Sequence, residues 1–125
     1  LNLMEKLCCS VFVSINDAEQ DPLLKESIGN IKEFINNLIN KKHCWTYNAY
    51  LSEYMCQFND HVELKLYTNP VTTLVINDKH LPQMLRIESD DDNWSIIDTL
   101  AEKILEENQT NIVKSYAKVL KDYMK

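Results

Sequence analysis

The chain has 125 residues, of which 45% are hydrophobic and 26% are charged, and its formal net charge is -6. This composition is typical of one globular domain and excludes a disordered tail or two independent domains. The longest apolar stretch, near Val11 to Ile15, is much shorter than the roughly 20 residues of a membrane-spanning helix, so we expect no segment to cross a bilayer. Because the chain starts at Leu1 and not at methionine, we expect residues 1–125 to be a single domain excised from a longer protein.

The charge balance argues against nucleic acid as a partner. The chain carries 13 Lys and Arg residues against 19 Asp and Glu residues, and an acidic protein repels phosphate backbones. We therefore expect protein partners, with neither nucleic acid nor a membrane among them.

The cysteine pattern predicts an intracellular protein, cytoplasmic or nuclear. The chain has no Cys-x-x-Cys pair, which favours reduced thiols over a disulfide framework; its four cysteines are Cys8, Cys9, Cys44 and Cys56. A secreted protein is the alternative, because the cysteine number is even and two tripeptides, 93–95 and 108–110, fit the glycosylation pattern.

The first half of the chain predicts one clear helix. Residues 1–15 fit both a helical stripe and strand alternation, and we favour a helix that runs into a strand-like end. Asp21 can cap a helix whose apolar face continues through Asn40, with Gly29 inside it. From His43 to Phe58 the aromatic residues fit strand propensity and helical spacing equally, so both interpretations stay open.

The middle of the chain predicts a small antiparallel meander. Val62 to Leu66 alternates between apolar and charged residues, as a half-buried strand does. Asn69-Pro70 ends it, Thr72 to Ile76 predicts the next strand, and Met84 to Ile87 predicts a short third strand.

Two helices are predicted after the acidic run at residues 88–92. Asp92 or Asn93 would cap the first helix, which extends to Leu105, and Asn108 to Thr110 would separate it from a helix that reaches the C-terminus. The predicted fold class is α+β: a long helix, a small antiparallel β-meander and two C-terminal helices. The alternative is a mostly α-helical domain in which residues 1–15 and 45–58 are helical.

Four cysteine and histidine residues are the candidates for catalytic chemistry. A phosphate-binding loop needs several glycines, and the chain has one. A nucleophile and base could be paired as Cys44 beside His43 or as Cys56 with His61, and the same four residues could bind zinc, although their spacing is irregular. We therefore expect neither an enzyme nor a cofactor. Ser89 precedes three aspartates, a context that an acidophilic kinase would accept.

The order of elements from Pro22 onward resembles the RWD domains and their relatives with the ubiquitin-conjugating-enzyme fold. The stretches Val62 to Leu66, Leu81-Pro82 and Leu85 to Ile87, followed by Trp94 to Leu105, are similar to the last strands and the following helix of that family. The family's Tyr-Pro-x-x-x-Pro turn and the His-Pro-Asn tripeptide of its catalytic branch are missing here. The resemblance therefore implies a non-catalytic docking module inside a larger assembly, as in kinetochore, DNA-repair and ubiquitin-ligase complexes.

Aromatic residues supply the candidate interface. Exposed apolar patches are common partner surfaces. The first candidates are Trp45, Tyr47, Tyr50 and Tyr54, and the second is the amphipathic end of the last helix, from Tyr116 to Tyr123. The alternative is that these rings are core residues. The expected function is protein–protein docking; the rivals are a small helical adaptor or viral-type antagonist that binds a partner helix, and a Cys/His-dependent or zinc-dependent enzyme.

Overall fold

The computed structural model describes residues 22–27, 29–90 and 94–124. Within these ranges the chain forms four helices and five strands. The helices are α1 (Pro22–Ser27), α2 (Ile31–Asn40), α3 (Ile96–Glu107) and α4 (Gln109–Tyr123); the strands are β1 (Thr46–Asn48), β2 (Glu53–Gln57), β3 (Val62–Tyr67), β4 (Thr73–Asp78) and β5 (Leu85–Glu88). The prediction for residues 1–15 lies outside the described residues.

The five strands form one antiparallel sheet in the order β1-β2-β3-β4-β5. The predicted meander is therefore confirmed, and the segment 45–58 extends it with two further strands. The alternation in β3 gives the pattern of buried and half-buried residues that its sequence predicts, and β3 pairs with β4 along its whole length. The mostly helical alternative is wrong for residues 45–58, and the α+β fold class is confirmed.

One face of the sheet carries the hydrophobic core. The register places the core residues of neighbouring strands opposite one another, as in the pairs Leu64–Ile76 and Leu74–Ile87. Helices α2 and α3 cover this face with buried residues at the spacing i, i+3, i+4, i+7. These residues are Ile31, Phe34, Ile35 and Leu38 in α2, and Ile97, Leu100, Ala101 and Ile104 in α3.

The prediction of a single helix up to Asn40 is wrong, because the helix is interrupted at Gly29. Gly29 has φ of 82° and lies between α1 and α2, not inside a helix. Its N–H donates to the Leu24 carbonyl at 3.1 Å, a bond typical of a helix C-terminus. Asn30 then caps α2, since its side-chain oxygen accepts from the Glu33 N–H at 3.2 Å. Local capping therefore overrides a continuous apolar periodicity.

Helix α3 begins later than the sequence predicts, whereas α4 begins earlier, so the two helices lie closer together in the chain. Asp92 and Asn93 lie outside the described residues, and the N-cap position of α3 is Ser95, so the predicted cap is wrong in position. Asn108 alone separates α3 from α4. Lys103 of α3 donates to the Ile39 carbonyl at the end of α2, which places a cation at a helix C-terminus.

Candidate interaction surface

Helix α4 lies against strand β1 through polar and aromatic contacts. The hydroxyls of Tyr47 and Tyr116 are hydrogen-bonded at 2.9 Å, and their ring centroids are 5.5 Å apart. The Ala49 N–H donates to Ser115 Oγ at 3.0 Å, and the Tyr50 hydroxyl donates to Asp122. Side-chain hydrogen bonds at exposed positions contribute little net stability, so these contacts orient α4 without burying it.

Two tyrosines at this contact, Tyr47 and Tyr50, have raised pKa values. Burial, followed by the hydrogen bond with Tyr116, raises the pKa of Tyr47 to about 12. The bond to Asp122 raises the pKa of Tyr50, because ionised Tyr50 would face a carboxylate. Both phenols are therefore neutral hydrogen-bonding groups near neutral pH.

One face of α4 is apolar and exposed. All 15 residues of α4 are described, and none of them is buried. Large apolar side chains recur at i, i+3, i+7 and i+10, the spacing of one helical face: Val113, Tyr116, Leu120 and Tyr123, of which Leu120 is 61% exposed and Tyr123 88%. We call these four residues the α4 face.

The turn between β1 and β2 adds two exposed apolar residues beside the α4 face. Asn48 builds this turn, because its side-chain oxygen accepts from the N–H groups of Tyr50 and Leu51. Tyr50 and Leu51 are both more than half exposed. Since Tyr50 also bonds Asp122 of α4, the turn and the helix form one surface.

The structure divides the predicted aromatic candidates into two groups. Trp45 and Tyr54 are 3% and 5% exposed and belong to the core, so their assignment to an interface is wrong. Trp45 directly precedes β1 and Tyr54 lies in β2, and both pack into the core, which strand alternation alone could not decide. Tyr47 is half-buried, whereas Tyr50, Tyr116 and Tyr123 are exposed. Sequence reasoning missed Val113, although its spacing with Tyr116 was visible; Leu120 lies within the predicted segment from Tyr116 to Tyr123.

The predicted set of His43, Cys44, Cys56 and His61 does not form one site. Across the described residues, one group of three metal-ligating side chains lies together, namely His61, Asp78 and His80. His43, Cys44 and Cys56 do not belong to it. Burial, followed by the charge of Cys44, raises the pKa of Cys56 to about 11, which disfavours the nucleophilic thiolate. His43 instead packs its ring against Phe58, with centroids 5.4 Å apart. Cys44 and Cys56 are free thiols; Cys8 and Cys9 lie outside the described residues.

Two predicted modification positions differ in access. Ser89 lies in the turn after β5, where its N–H donates to the Thr72 carbonyl at 2.9 Å, and its side chain is partly accessible. Phosphorylation of Ser89 stays a prediction. Asn108 is buried and its side-chain amide donates to the Ile104 carbonyl at 2.9 Å, so a glycan cannot attach there in the folded domain. Asn93 lies outside the described residues.

Comparisons with known proteins leave the family of this chain open. No protein-family model matches it, and no curated protein or solved structure does so either. No helix within the described ranges is both long and apolar enough to cross a membrane.

Proposed function

We propose that this chain is a non-catalytic docking domain that binds a protein partner through the α4 face, as a part of a larger intracellular assembly. The observation that carries the proposal is that α4 buries none of its residues while it presents large apolar side chains along one face. The resemblance to RWD domains supports an assembly of the kinetochore, DNA-repair or ubiquitin-ligase type.

Burial of the α4 face would supply substantial binding energy. A fully buried large apolar side chain gains about 1.5–3 kcal/mol relative to its exposed state. Tyrosine is also enriched among the residues that dominate interface energetics. Tyr116 and Tyr123 therefore make suitable anchors, and Tyr116 is already oriented by its bond to Tyr47.

The spacing and charge of α4 indicate the chemistry of the partner. Apolar residues at i, i+3, i+7 and i+10 fit the apolar face of a second helix packed along α4. Helix α4 is basic, because it carries three exposed lysines and one acidic residue, Asp122. The lysines are Lys114, Lys118 and Lys121. An amphipathic helix with acidic flanks would complement this surface.

The Cys/His-dependent enzyme is less well supported than docking. The raised pKa of Cys56 keeps that thiol protonated near neutral pH, and His61 is engaged with Asp78 at 3.1 Å. The helical-adaptor alternative shares the helix-binding mode, but the five-stranded sheet argues against its mostly helical fold.

The docking proposal is tested by affinity purification of the protein from its native cell, compared with two leucine variants. Leu120→Asp places a charge in the α4 face, whereas Leu105→Asp places it on the exposed side of α3, where Leu105 is 42% exposed. Both variants should give the circular dichroism spectrum of the parent protein.

We expect a stoichiometric partner that the parent protein and Leu105→Asp retain and that Leu120→Asp loses. A partner that is retained by Leu120→Asp, or lost equally by both folded variants, would contradict docking through α4.

A further inference from the structure

Two histidines and one aspartate meet at the end of the sheet opposite the turn that carries Tyr50. Asp78 is the last residue of β4, on the core face, and its side chain is fully buried. Its Oδ1 lies 3.1 Å from His61 Nδ1 and 3.9 Å from His80 Nδ1. The two imidazole rings are stacked with centroids 4.2 Å apart and an interplanar angle of 18°.

The backbone holds these three residues in place from two separate turns. His61 follows the β2–β3 turn, where its N–H donates to Asn59 Oδ1 at 2.9 Å. His80 follows β4, and its N–H donates to Asp78 Oδ1 at 2.9 Å. The Lys79 N–H donates to the His61 carbonyl at 2.8 Å and joins the two turns. These bonds fix the backbone positions of the three residues.

The turn geometry alone does not account for this arrangement. A bond from the His80 N–H to the Asp78 side chain is the usual way in which aspartate shapes a turn. It does not require two imidazole rings to stack with their Nδ1 atoms near one carboxylate oxygen. A single metal cation bound between the two imidazoles and the carboxylate would use one ligand atom from each of the three groups.

The distances suit a tetrahedral transition-metal ion. Zinc bonds of about 2.0–2.2 Å to imidazole and carboxylate require ligand atoms about 3.3–3.5 Å apart. The candidate atoms all lie within 4.8 Å of one another. The side chain of His80 is 64% exposed, so it can rotate to close the longer distances. Calcium and magnesium are disfavoured, because they take mainly oxygen ligands in greater number.

We propose that His61, Asp78 and His80 bind one divalent transition-metal ion, with Zn²⁺ as the first candidate and the fourth coordination position open to water. Imidazole and carboxylate ligands in this combination suit Zn²⁺ and its first-row neighbours. The exposed edge formed by His61 and His80 gives the ion a path from solvent. This proposal is independent of docking through α4.

The test titrates the metal-stripped protein with Zn²⁺ alone by calorimetry and with Co²⁺ alone by visible absorption. His80→Ala removes an exposed ligand, and Lys79→Ala is the matched control on the neighbouring exposed residue. We expect one equivalent of Zn²⁺ to bind the parent protein and Lys79→Ala equally. His80→Ala should weaken binding at least about 100-fold, because even partners behind the ligands commonly account for 10–100-fold in affinity.

A second measurement separates this site from binding by the cysteines. The chain has three histidines, so Zn²⁺ should shift the ring NMR signals of His61 and His80 and leave those of His43 unchanged. A Co²⁺ spectrum dominated by thiolate charge transfer, equal binding by His80→Ala and Lys79→Ala, or no binding by the folded parent protein would each overturn the proposal.

Discussion

Two leucines on consecutive helices provide a direct test of the exposed α4 face. Leu100 of α3 is 0% exposed within the core, whereas Leu120 of α4 is 61% exposed. We predict that Leu100→Ala destabilises the domain strongly and that Leu120→Ala leaves its stability almost unchanged. The two substitutions delete the same atoms in the same secondary structure, so their difference isolates packing.

The expected magnitudes follow from burial. Deletion of a fully buried leucine side chain to alanine lowers the free energy of unfolding by about 2–5 kcal/mol, because the loss of contacts adds to the lost transfer energy. Leu120 is about two fifths covered; scaled from the roughly 1.5–3 kcal/mol of a fully buried side chain, its truncation should lower the free energy by less than about 1 kcal/mol. The slightly better helix propensity of alanine offsets part of that loss.

Urea denaturation followed by far-UV circular dichroism measures both values. At the middle of these ranges, a difference of about 3 kcal/mol and a slope of about 2 kcal/mol per molar urea, the unfolding midpoint of Leu100→Ala should lie about 1.5 M below that of Leu120→Ala. Equal destabilisation by the two variants would refute the reasoning, since it would mean that the α4 face is packed within the domain and not available to a partner.

Three further predictions concern the helix break, a buried hydrogen bond and thiol reactivity. Gly29→Ala should lower the free energy of unfolding by about 1–2 kcal/mol, because Gly29 has φ of 82° and an added Cβ would meet no atom within 4 Å, so the loss comes from the backbone alone. Thermal unfolding measures this loss, and Gly29→Asn should lose less. An unchanged melting temperature for Gly29→Ala would contradict a helix break at this residue. Tyr67→Phe should destabilise the domain by about 1–3 kcal/mol, because it leaves the buried Glu53 carboxylate without the hydroxyl that donates to it at 2.7 Å. Burial, followed by this bond, raises the pKa of Tyr67 from 10.0 to about 12. The contribution of Tyr67 to stability should therefore be complete below pH 10 and lost as the pH rises through about 12. Titration of tyrosinate absorbance in the parent protein and in Tyr67→Phe measures this pKa, and ionisation of Tyr67 near pH 10 would contradict the prediction. Cys44 is exposed, whereas Cys56 is buried with a pKa of about 11. Alkylation mapped by mass spectrometry should therefore modify Cys44 at neutral pH and Cys56 only after unfolding. Equal alkylation rates of the two thiols in the folded protein would be inconsistent with the core position of Cys56.

The sequence alone was sufficient where one local pattern reports one local structure. Val62 to Leu66 alternates because one side of β3 faces the core, and residues 97–104 repeat with helical spacing because one side of α3 does. The α+β class and the meander follow from such patterns, which need no knowledge of distant residues. The break at Gly29 was also encoded locally, in Gly29 followed by the cap residue Asn30, but apolar periodicity concealed it.

The candidate sites depended on contacts between residues far apart in the chain, which only the tertiary structure decides. Trp45 and Tyr54 are core residues while Tyr50 is exposed, because helices cover one face of the sheet and the β1–β2 turn extends beyond it. His61 meets Asp78 because β3 and β4 are antiparallel with Val62 opposite Asp78. Periodicity shows which residues share a face, but it does not show which face is covered or which turns meet, since strand register and helix docking set both.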